Sequence, residues 1–509
     1  MADQAQIFLK TAFRRTNWLR IKLFVGMAPI SNDEELKMSQ PEHFEMLIIG
    51  SGEGGKYLAW HMAKSGHRTA VIERRLIGGS CPNTNCLPSK NEIWSAKVAD
   101  LVHHAGRFGT VTGPTATDMK QVQARKRGMV EDMIAKHLDL YKASGAELIM
   151  GTARFISPKT IEVELNDGGT RLLTGDRLAL NLGTHATIPD IPGLVAAEPL
   201  TNVELLELDR LPDHLIVLGG GYVGLELAQA YRRFGSRVSI LEAGPQLAGR
   251  EDSDVTAALL EMLRDEGIVV HLGAKILDVR GRSGQAVSLQ MRTPAGDQTI
   301  EGSDILVAAG RTPNTDGIGL DLAGVALDDR GYIAVDDRLE TSAPGVWAIG
   351  EAAGSAQFTH VSFDDFRIIS ANLNGGNRTK RDRLVPYCMF TDPPLARVGF
   401  SEGEAQRQGI AVRVAKLPGA AVLRAQTISE TRGFMKALVE AGGDRILGFT
   451  MIGAEAGEVM AVVQTAMVAG MPYMGLRDAI IAHPTMAEGL GALFSNVPAR
   501  YGSRRTPEC

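Results

Sequence analysis

The chain has 509 residues, of which 44% are hydrophobic and 22% charged, a composition that can fill several globular cores. Its 54 basic and 59 acidic residues give a formal net charge of -5, which argues against nucleic acid as the main partner and favours a small molecule. Four cysteines are too few for a secreted disulfide scaffold, and no uninterrupted apolar run reaches membrane-spanning length, so we expect a cytoplasmic protein without a membrane partner.

The first 43 residues form a basic extension, with five Lys and Arg residues between positions 9 and 24. Two interpretations stay open: an Arg-rich transit peptide, or residues upstream of the true start, with Met27 or Met38 opening the folded chain. At the other end, residues 499–509 form a polar tail closed by Cys509, a single thiol that would bind a soft metal only weakly.

From Phe44 the chain alternates strand and helix signals. A short apolar strand runs into a GxGxxG turn made by Gly50, Gly52 and Gly55, a helical stretch follows, and a second apolar strand ends at Glu73. Such glycines permit a tight turn and a close approach of the backbone to a pyrophosphate, which the helix N-terminus attracts. Glu73 stands where it can accept hydrogen bonds from a ribose. The segment predicts a dinucleotide-binding fold.

Two of the four cysteines, Cys81 and Cys86, follow this fold in the segment GGSCPNTNCLPSK at 78–90. Four intervening residues allow one helical turn to bring the sulfurs together. A zinc ligand pair and a structural staple are the alternatives to a redox pair. Zinc needs further ligands, and the nearest candidates, His103 and His104, form no recognisable pattern, so we predict no metal site.

A second strand, Gly-rich turn and helix lie at 214–242, with Gly219, Gly221 and Gly224 in the turn and Glu242 at the end of the next strand. Two nucleotide folds imply two nucleotides, and a nicotinamide hydride carrier with a flavin is the economical pairing. Glu242 can bond a free ribose 2'-hydroxyl and would repel a 2'-phosphate, so we expect NADH rather than NADPH. Arg237 lies nearby in the sequence and tempers that preference.

A dithiol beside a flavin is an electron relay. Reducing equivalents from the nicotinamide reach the dithiol, and an exposed thiolate then attacks a substrate by thiol–disulfide exchange.

The motif GGSCPNTNCLPSK resembles the redox-active signature of the class I flavoprotein (pyridine nucleotide-disulfide) oxidoreductases. The resemblance extends from Phe44 to about Pro498 and includes AAGRTPNTDGIGL at 308–320, GVWAIGEAAG at 345–354 and AHPTMAEGL at 482–490. The segment QFTHVSFDDFRI at 357–368 looks most like the branch that contains the mercuric-reductase-like and hypothiocyanous-acid-reductase-like proteins.

The resemblance implies an α/β fold with two Rossmann-like doubly wound nucleotide-binding domains and an α+β C-terminal dimerisation domain. The expected regions are a basic N-terminal extension at 1–43, the first part of an FAD-binding domain at 44–198, an NAD-binding domain at 199–316, a central segment returning to FAD at 317–384, the dimerisation domain at 385–498 and the tail at 499–509.

The resemblance also implies roles for individual residues. Cys81 would attack the substrate, and Cys86 would be the charge-transfer thiol next to the flavin. Lys90 and Glu226 would form a buried ion pair near the flavin ring. Tyr222 resembles the side chain that swings aside for nicotinamide, with simple aromatic packing as the alternative. The remaining cofactor contacts that we expect are Gly79, Ser80, Gly183, Gly310, Arg311, Gly350 and Glu351.

The HPTMAE segment would supply acid–base catalysis. An imidazole at His483 held by Glu488 can take a proton from the attacking thiol and return it to the leaving thiol, working near neutral pH. In relatives this histidine comes from the opposite subunit, so the resemblance implies a homodimer with two shared active sites.

Three departures from the family pattern stand out. Glu351 replaces the usual Asp, so the bond to the flavin's ribityl chain would need space for one more methylene. Pro82 fixes a backbone angle between the cysteines, and Asn85 stands where glycine is common. The vicinal C-terminal cysteines and the N-terminal CxxC motif typical of mercuric reductases do not occur in the sequence.

The sequence therefore predicts an FAD-dependent NAD(P)H oxidoreductase that passes electrons through the redox-active disulfide of Cys81 and Cys86 to a disulfide, an oxidised-sulfur compound or a soft metal. The alternatives are mercuric reductase or dihydrolipoyl dehydrogenase proper, or a non-catalytic flavin-dithiol redox sensor. His483 with Glu488 favours the enzyme, because sensing does not need acid–base help.

Overall fold

A computed structural model describes residues 40–500 of the chain. Most of the basic extension, including Met27 and Met38, and the end of the tail with Cys509 lie outside the described residues.

The described residues form twenty strands and thirteen α-helices. The strands are β1 (Glu42–Ile49), β2 (Thr69–Glu73), β3 (Glu147–Ser157), β4 (Thr160–Leu165), β5 (Thr170–Leu180), β6 (Thr184–Ala186), β7 (His214–Leu218), β8 (Arg237–Glu242), β9 (Val269–Leu272), β10 (Lys275–Arg282), β11 (Ala286–Thr293), β12 (Gly296–Gly302), β13 (Asp304–Val307), β14 (Arg311–Pro313), β15 (Val346–Ala348), β16 (Tyr387–Met389), β17 (Leu395–Gly399), β18 (Val412–Pro418), β19 (Phe434–Glu440) and β20 (Ile446–Ile452).

The α-helices are α1 (Glu53–Lys64), α2 (Ser80–Asn83), α3 (Cys86–His103), α4 (Met119–Ser144), α5 (Asn202–Leu205), α6 (Tyr222–Phe234), α7 (Ser253–Asp265), α8 (Thr359–Leu373), α9 (Glu402–Arg407), α10 (Leu423–Thr427), α11 (Ala456–Val468), α12 (Tyr473–Arg477) and α13 (Gly489–Ser495). Three 3-10 turns cover Ala105–Phe108, Gly350–Ala353 and Gly419–Ala421.

The first sheet is built around β1, which pairs in parallel with β2 on one side and β5 on the other. β3 lies beyond β2 and β15 beyond β5, both parallel, and β4 joins the far halves of β3 and β5 as an antiparallel strand. Leu47 packs with the core formed by β3 to β5, and Met46 packs with the core under α1, so both faces of β1 are buried. This explains its continuous apolar run.

The second sheet is parallel, in the order β13-β7-β8-β9. Leu215 and Val217 on β7 face the core that holds α6, while Ile216 and Leu218 pack towards the antiparallel sheet β10-β11-β12. In each of these two sheets one parallel strand runs into a Gly-rich turn followed by a helix. The strands are β1, which precedes Gly50, and β7, which precedes Gly219.

The third sheet is antiparallel, in the order β16-β17-β20-β19-β18, and packs with α11, α12 and α13 around its own core. The fully buried Lys436 ties it to the second nucleotide region, because its ammonium lies 2.7 Å from Asp252 and 2.8 Å from both Asp254 and Glu402. These three carboxylates are close enough to bind a metal ion, but the Lys436 ammonium is the cation that they contact in this structure.

The described residues from Pro41 onwards cluster as one compact unit, so the predicted boundaries between domains stay predictions. Within residues 40–500, no helix is both long enough and apolar enough to cross a membrane.

Candidate active site

The carboxyl ends of the two parallel sheets open into one cavity of about 2580 Å³. Its wall includes both Gly-rich turns, the two thiols of Cys81 and Cys86, and Lys90 with Glu226. Open parallel sheets bind ligands outside the carboxyl ends of their strands. The cavity is thus the place where two dinucleotides and a dithiol would meet.

The first Gly-rich turn has no room for side chains on the protein side. Gly50 has a φ of 98°, and a Cβ there would lie 2.2 Å from the carbonyl oxygen of Asn181. Gly79 has a φ of 78°, and its Cβ would lie 2.5 Å from the Cα of Gly52. A Cβ on Gly55 would lie 2.4 Å from the Gly50 oxygen, so backbone packs on backbone and leaves the turn open to the cavity.

Glu73 is the acidic residue predicted to bind a ribose. One carboxylate oxygen accepts bonds from the Ser51 amide at 3.0 Å and its hydroxyl at 2.7 Å, and the other accepts from the amides of Arg75 at 2.8 Å and Leu76 at 2.9 Å. A carboxylate has about four acceptor sites, and all four are used here. A ribose hydroxyl would have to displace one of these donors, so the role in ribose binding stays a prediction.

The second Gly-rich turn differs at one position. Gly219 and Gly224 are closely packed, with Cβ positions 2.5 Å from the Ala308 oxygen and 2.2 Å from the Gly219 oxygen. Gly221 has nothing within 4 Å of a Cβ and lines the cavity. Protein packing therefore does not require glycine at this position, whereas a pyrophosphate lying against the turn would.

Glu242 keeps acceptor sites free. Its oxygens accept the amides of Gly220 and Gly244, each at 2.6 Å, which leaves about two sites for ribose hydroxyls. Arg237 is the first residue of β8 and Glu242 the last, so the strand separates them and sequence proximity misled us. Two cations that the sequence analysis did not single out, Arg250 and Lys275, line the cavity, and Lys275 follows Ala274, whose amide donates to the Glu242 carbonyl at 2.9 Å.

The spacing of the two cysteines suggested one continuous helical turn, but the structure places them on two separate helices. Cys81 lies in α2, Thr84 and Asn85 interrupt the helix, and Cys86 is the first residue of α3. Asn85 has a φ of -127°, which needs no glycine, and its amide oxygen accepts a bond from Asn202 at 2.9 Å. Both cysteines are free thiols, and each shifts the pKa of the other.

The two thiols differ in acidity. The hydrogen bond from Cys81 lowers the pKa of Cys86 to about 6, and the hydroxyl of Thr359 and the charge of Lys90 act in the same direction. The sulfur of Cys86 lies 3.3 Å from the Thr359 hydroxyl oxygen and at the positive end of α3. The same pairing, together with burial, raises the pKa of Cys81. Cys86 is therefore the first of the two to become a thiolate.

Lys90 and Glu226 form the predicted ion pair, with 2.7 Å between nitrogen and oxygen. The Glu226 side chain is 7% exposed and its second oxygen accepts the Phe390 amide at 2.7 Å, while the Lys90 side chain is 32% exposed. The pair is thus buried only on its carboxylate side. It joins the helix of Cys86 to the helix of the second Gly-rich turn.

Tyr222, the first residue of α6, lines the cavity, and its hydroxyl donates to the buried Glu251 at 2.5 Å. Glu251 was not singled out from the sequence. It follows Arg250 in a loop whose pattern carries no motif.

Glu351 accepts hydrogen bonds from the Thr184 hydroxyl and from Arg311, the latter at 3.2 Å. It lies in the 3-10 turn that begins at Gly350, and it lines the cavity with Gly183, Gly310 and Arg311. Gly79 and Ser80 line the same cavity as the two thiols. The Glu351 side chain, one methylene longer than the usual Asp, is thus accommodated in contact with Arg311.

His483 and Glu488 are joined by a 2.8 Å hydrogen bond between Nδ1 and a carboxylate oxygen. The His483 side chain is 63% exposed, and neither residue lines the cavity that holds Cys81 in the same chain. The single chain thus brings the histidine and its glutamate together but does not bring them to the thiols.

The residues of the cavity fit two dinucleotides. The first Gly-rich turn, Gly79 and the Gly350 turn leave an open cradle, and Gly221 leaves space that no protein atom fills. A dithiol with one acidic thiol lies between the two turns. The fold and site define an oxidoreductase class that combines a flavin, a pyridine nucleotide and a thiol pair.

Comparisons with known proteins agree with this class. Residues 44–365 match the family model of the pyridine nucleotide-disulphide oxidoreductases, and residues 385–493 match the dimerisation domain of the same family. The chain belongs to this family, which confirms the predicted fold class and the resemblance. It is an FAD-dependent enzyme that uses a pyridine nucleotide and carries a dimerisation domain.

Several relatives cover almost the whole described chain. The probable pyridine nucleotide-disulfide oxidoreductase RclA of Escherichia coli is 36% identical over 89% of this chain and 99% of its own. A mercuric reductase of Streptomyces lividans is 35% identical, over 88% and 94% of the two chains. A solved structure named as the Cu(II) complex of the HOCl-induced flavoprotein disulfide reductase RclA superimposes with a TM-score of 0.81 at 34% identity, covering 89% of this chain and 99% of its own.

Proposed function

We propose that the protein is a homodimeric disulfide reductase that uses NADH and delivers electrons through Cys86 and Cys81 to a small disulfide or oxidised-sulfur substrate. The observation that carries the proposal is the asymmetry of the thiol pair. Cys86 is held as the acidic thiol by Cys81, Thr359 and Lys90, while the raised pKa of Cys81 keeps that thiol protonated until a base removes its proton.

FAD, when bound, supplies a two-electron carrier between nicotinamide and the Cys81–Cys86 disulfide. The protein's part begins with the reduced pair. The Cys81 sulfur, after losing its proton, attacks one sulfur of the substrate disulfide, the sulfur–sulfur bond breaks, and the leaving thiolate takes up a proton. The Cys86 thiolate then attacks the Cys81 sulfur. This step breaks the mixed disulfide, releases the second half of the substrate as a thiolate that takes a proton from solvent, and restores the Cys81–Cys86 disulfide.

The proton in this exchange needs a carrier near neutral pH. Neither Cys81 nor Cys86 has a histidine of the described chain as a hydrogen-bond partner, and Glu488 already orients the exposed His483. We propose that His483 of the partner subunit accepts the Cys81 proton and returns it to the leaving thiol.

The proposed preference for NADH rests on Glu242. Its two free acceptor sites suit a ribose with both hydroxyls, and its charge repels a 2'-phosphate. Arg237 lies at the far end of β8 from Glu242 and therefore does not argue for a 2'-phosphate there.

Soft metals are the second candidate class of acceptor. The names of the relatives include mercuric reductases and a Cu(II) complex of RclA. A thiol pair with one acidic member also suits soft cations. We place sulfur substrates first, because thiol–disulfide exchange needs only the two thiols that the site supplies.

Single-thiol variants test the proposal. Anaerobic NADH should give a long-wavelength charge-transfer band in the wild type and in Cys81→Ser, but not in Cys86→Ser, because Cys86 supplies the thiolate. NADH oxidation should then be measured with lipoamide, glutathione disulfide, hypothiocyanous acid, Hg(II) and Cu(II). Both variants should lose turnover of the best acceptor. Equal spectra for the two variants would refute the assignment of the thiols.

A further inference from the structure

A buried polar network lies beside Tyr222 that the proposed reaction does not use. One oxygen of Glu251 accepts hydrogen bonds from the Tyr222 hydroxyl at 2.5 Å and from the Tyr387 hydroxyl at 2.6 Å. The two phenol rings lie 5.6 Å apart. The Tyr387 hydroxyl in turn accepts a hydrogen bond from Arg397, whose guanidinium also bonds Glu404 at 2.9 Å.

Tyr222 stands on the path between the two Gly-rich turns. It directly follows Gly221, and one turn further along α6 Glu226 binds Lys90 on the helix of Cys86. The family resemblance gives this phenol the role of moving aside for the nicotinamide ring, and its place on the cavity wall beside Gly221 agrees with that role. The Tyr222 hydroxyl donates to Glu251, and the neighbouring Tyr387 hydroxyl also interacts with it.

We propose that Glu251 is a positioning residue that latches Tyr222 in the closed position, so that entry of the nicotinamide ring must break the Tyr222–Glu251 hydrogen bond. The inference rests on the proposed function only in that a pyridine nucleotide enters past Tyr222. The inference adds that Glu251 is the group that opposes entry of the nicotinamide ring.

Burial makes this hydrogen bond hard to replace. The Glu251 side chain is 1% exposed, and its second oxygen has no hydrogen-bond partner, only Arg397 at 3.6 Å. The hydrogen bond is therefore shielded from water while Tyr222 is in place, and hydrogen bonds from a hydroxyl to a carboxylate are among the stronger ones in proteins. The latch reduces the fraction of molecules that are open to the ligand, which weakens the apparent affinity by the same factor.

The acceptor itself is fixed by the C-terminal sheet. Tyr387 lies in β16 and Arg397 in β17, and both contact Glu251. The next residue, Asp252, accepts the amides of Glu402 and Gly403, each at 3.0 Å, and contacts the buried Lys436. When Tyr222 moves, Glu251 stays in place, so the bond is lost rather than carried along.

The test measures binding rather than turnover. The FAD-loaded enzyme is titrated calorimetrically with 1,4,5,6-tetrahydro-NADH, an analogue that cannot transfer hydride. Tyr222→Phe keeps the ring and removes the latch, so we expect a Kd lower by about tenfold, the scale of one hydrogen bond to a charged group. Glu251→Gln should lower the Kd in the same direction, and the double variant should bind no more tightly than Tyr222→Phe alone.

Tyr231→Phe is the matched control. Tyr231 lies on the same helix and donates to the Leu205 carbonyl at 2.7 Å, outside the cavity. Its loss should lower the melting temperature and leave the Kd unchanged. A substitution that only disturbs the fold should weaken binding of the analogue. Tighter binding in a variant whose melting temperature is equal or lower therefore indicates a latch and not a structural role.

An unchanged or higher Kd in Tyr222→Phe overturns the latch, and so does tighter binding in Tyr222→Phe without any in Glu251→Gln. If Tyr222→Phe does not fold, Glu251→Gln alone decides by the same criterion. The proposed function is tested separately by anaerobic flavin reduction in the wild type. Failure of NADH to bleach the flavin would contradict that function, whereas normal bleaching with unchanged analogue affinities would contradict the latch alone.

Discussion

The hydroxyl oxygen of Thr359 lies 3.3 Å from the sulfur of Cys86, although 273 positions separate the two residues in the chain. Thr359 is the first residue of α8, and Cys86 is the first residue of α3. Two helix N-termini therefore meet at one sulfur, where a hydroxyl donor stabilises the thiolate over the thiol.

Removal of this hydroxyl should raise the pKa of Cys86. The pKa is lowered to about 6 in the structure, so the thiolate is present above pH 6 and is lost as the pH falls through this value. In Thr359→Val we expect the midpoint to rise by roughly one unit, since one hydrogen bond to a charged group is lost. The measurement is a pH titration of the long-wavelength absorbance of the NADH-reduced enzyme.

Thr359→Ser is the control for this prediction, because it keeps the hydroxyl and loses only a methyl group. Its midpoint should stay within a few tenths of a unit of the wild type. Equal shifts in the valine and serine variants would show that the hydroxyl does not stabilise the Cys86 thiolate.

The contrast between local and distant contacts explains what the sequence could predict. The glycine geometry of both turns and the contact of Lys90 with Glu226 agree with the sequence, since short motifs encode them, whereas the cofactor roles of Glu73 and Glu242 stay predictions. The interrupted helix between Cys81 and Cys86 was not foreseen, because spacing alone cannot show that Asn202 binds and fixes the intervening loop.

Other parts of the site depend on folding of distant segments. The Glu73 carboxylate is filled by four donors from neighbouring loops, which no spacing rule reveals. Glu251 meets Tyr387 across 136 positions, and neither residue belongs to a recognised motif. The feature that marks Glu251 is its burial, and burial is visible only in the structure.

Gly221 offers a test of the nicotinamide site that spares the fold. A Cβ at this position meets no protein atom within 4 Å, so Gly221→Ala should melt within about 2 °C of the wild type yet bind NADH at least tenfold more weakly. Gly224→Ala is the contrast, because its Cβ would lie 2.2 Å from the Gly219 oxygen and should destabilise the protein strongly. Thermal melting and NADH titration of both variants check this.

Unimpaired NADH binding in Gly221→Ala would mean that the dinucleotide does not approach this turn closely. A large loss of stability in the same variant would instead show that the open space is filled by protein in solution.

Glu242 should control the choice of cofactor. We expect the wild type to show the higher kcat/KM with NADH, and Glu242→Ala to narrow the difference by about tenfold, as repulsion of the 2'-phosphate disappears. Arg250 lines the same cavity and its charge would attract a 2'-phosphate. The double variant Glu242→Ala/Arg250→Ala should therefore have a lower kcat/KM with NADPH than Glu242→Ala alone. A wild-type preference for NADPH, or no effect of the alanine at 242, would be inconsistent with this role.

The last prediction concerns the subunit that supplies the histidine. In one chain His483 is 63% exposed and lies outside the cavity of Cys81, so we expect it to serve the thiol of the neighbouring subunit. His483→Ala and Cys81→Ser should each be inactive alone, but a mixed dimer keeps one intact site out of two. Random pairing makes about half of the dimers mixed, so co-expression should restore roughly a quarter of wild-type activity.

Cys81→Ser with Cys86→Ser is the matched control for the mixing experiment. Both thiols of a site come from one chain, so a mixed dimer of these two variants has no intact site and should recover nothing. FAD content must be equal in all preparations, because a lost flavin would imitate a lost site. If well-loaded mixed dimers of His483→Ala and Cys81→Ser stay inactive, His483 either acts on its own chain or takes no part in the exchange, and the shared site would have to be abandoned.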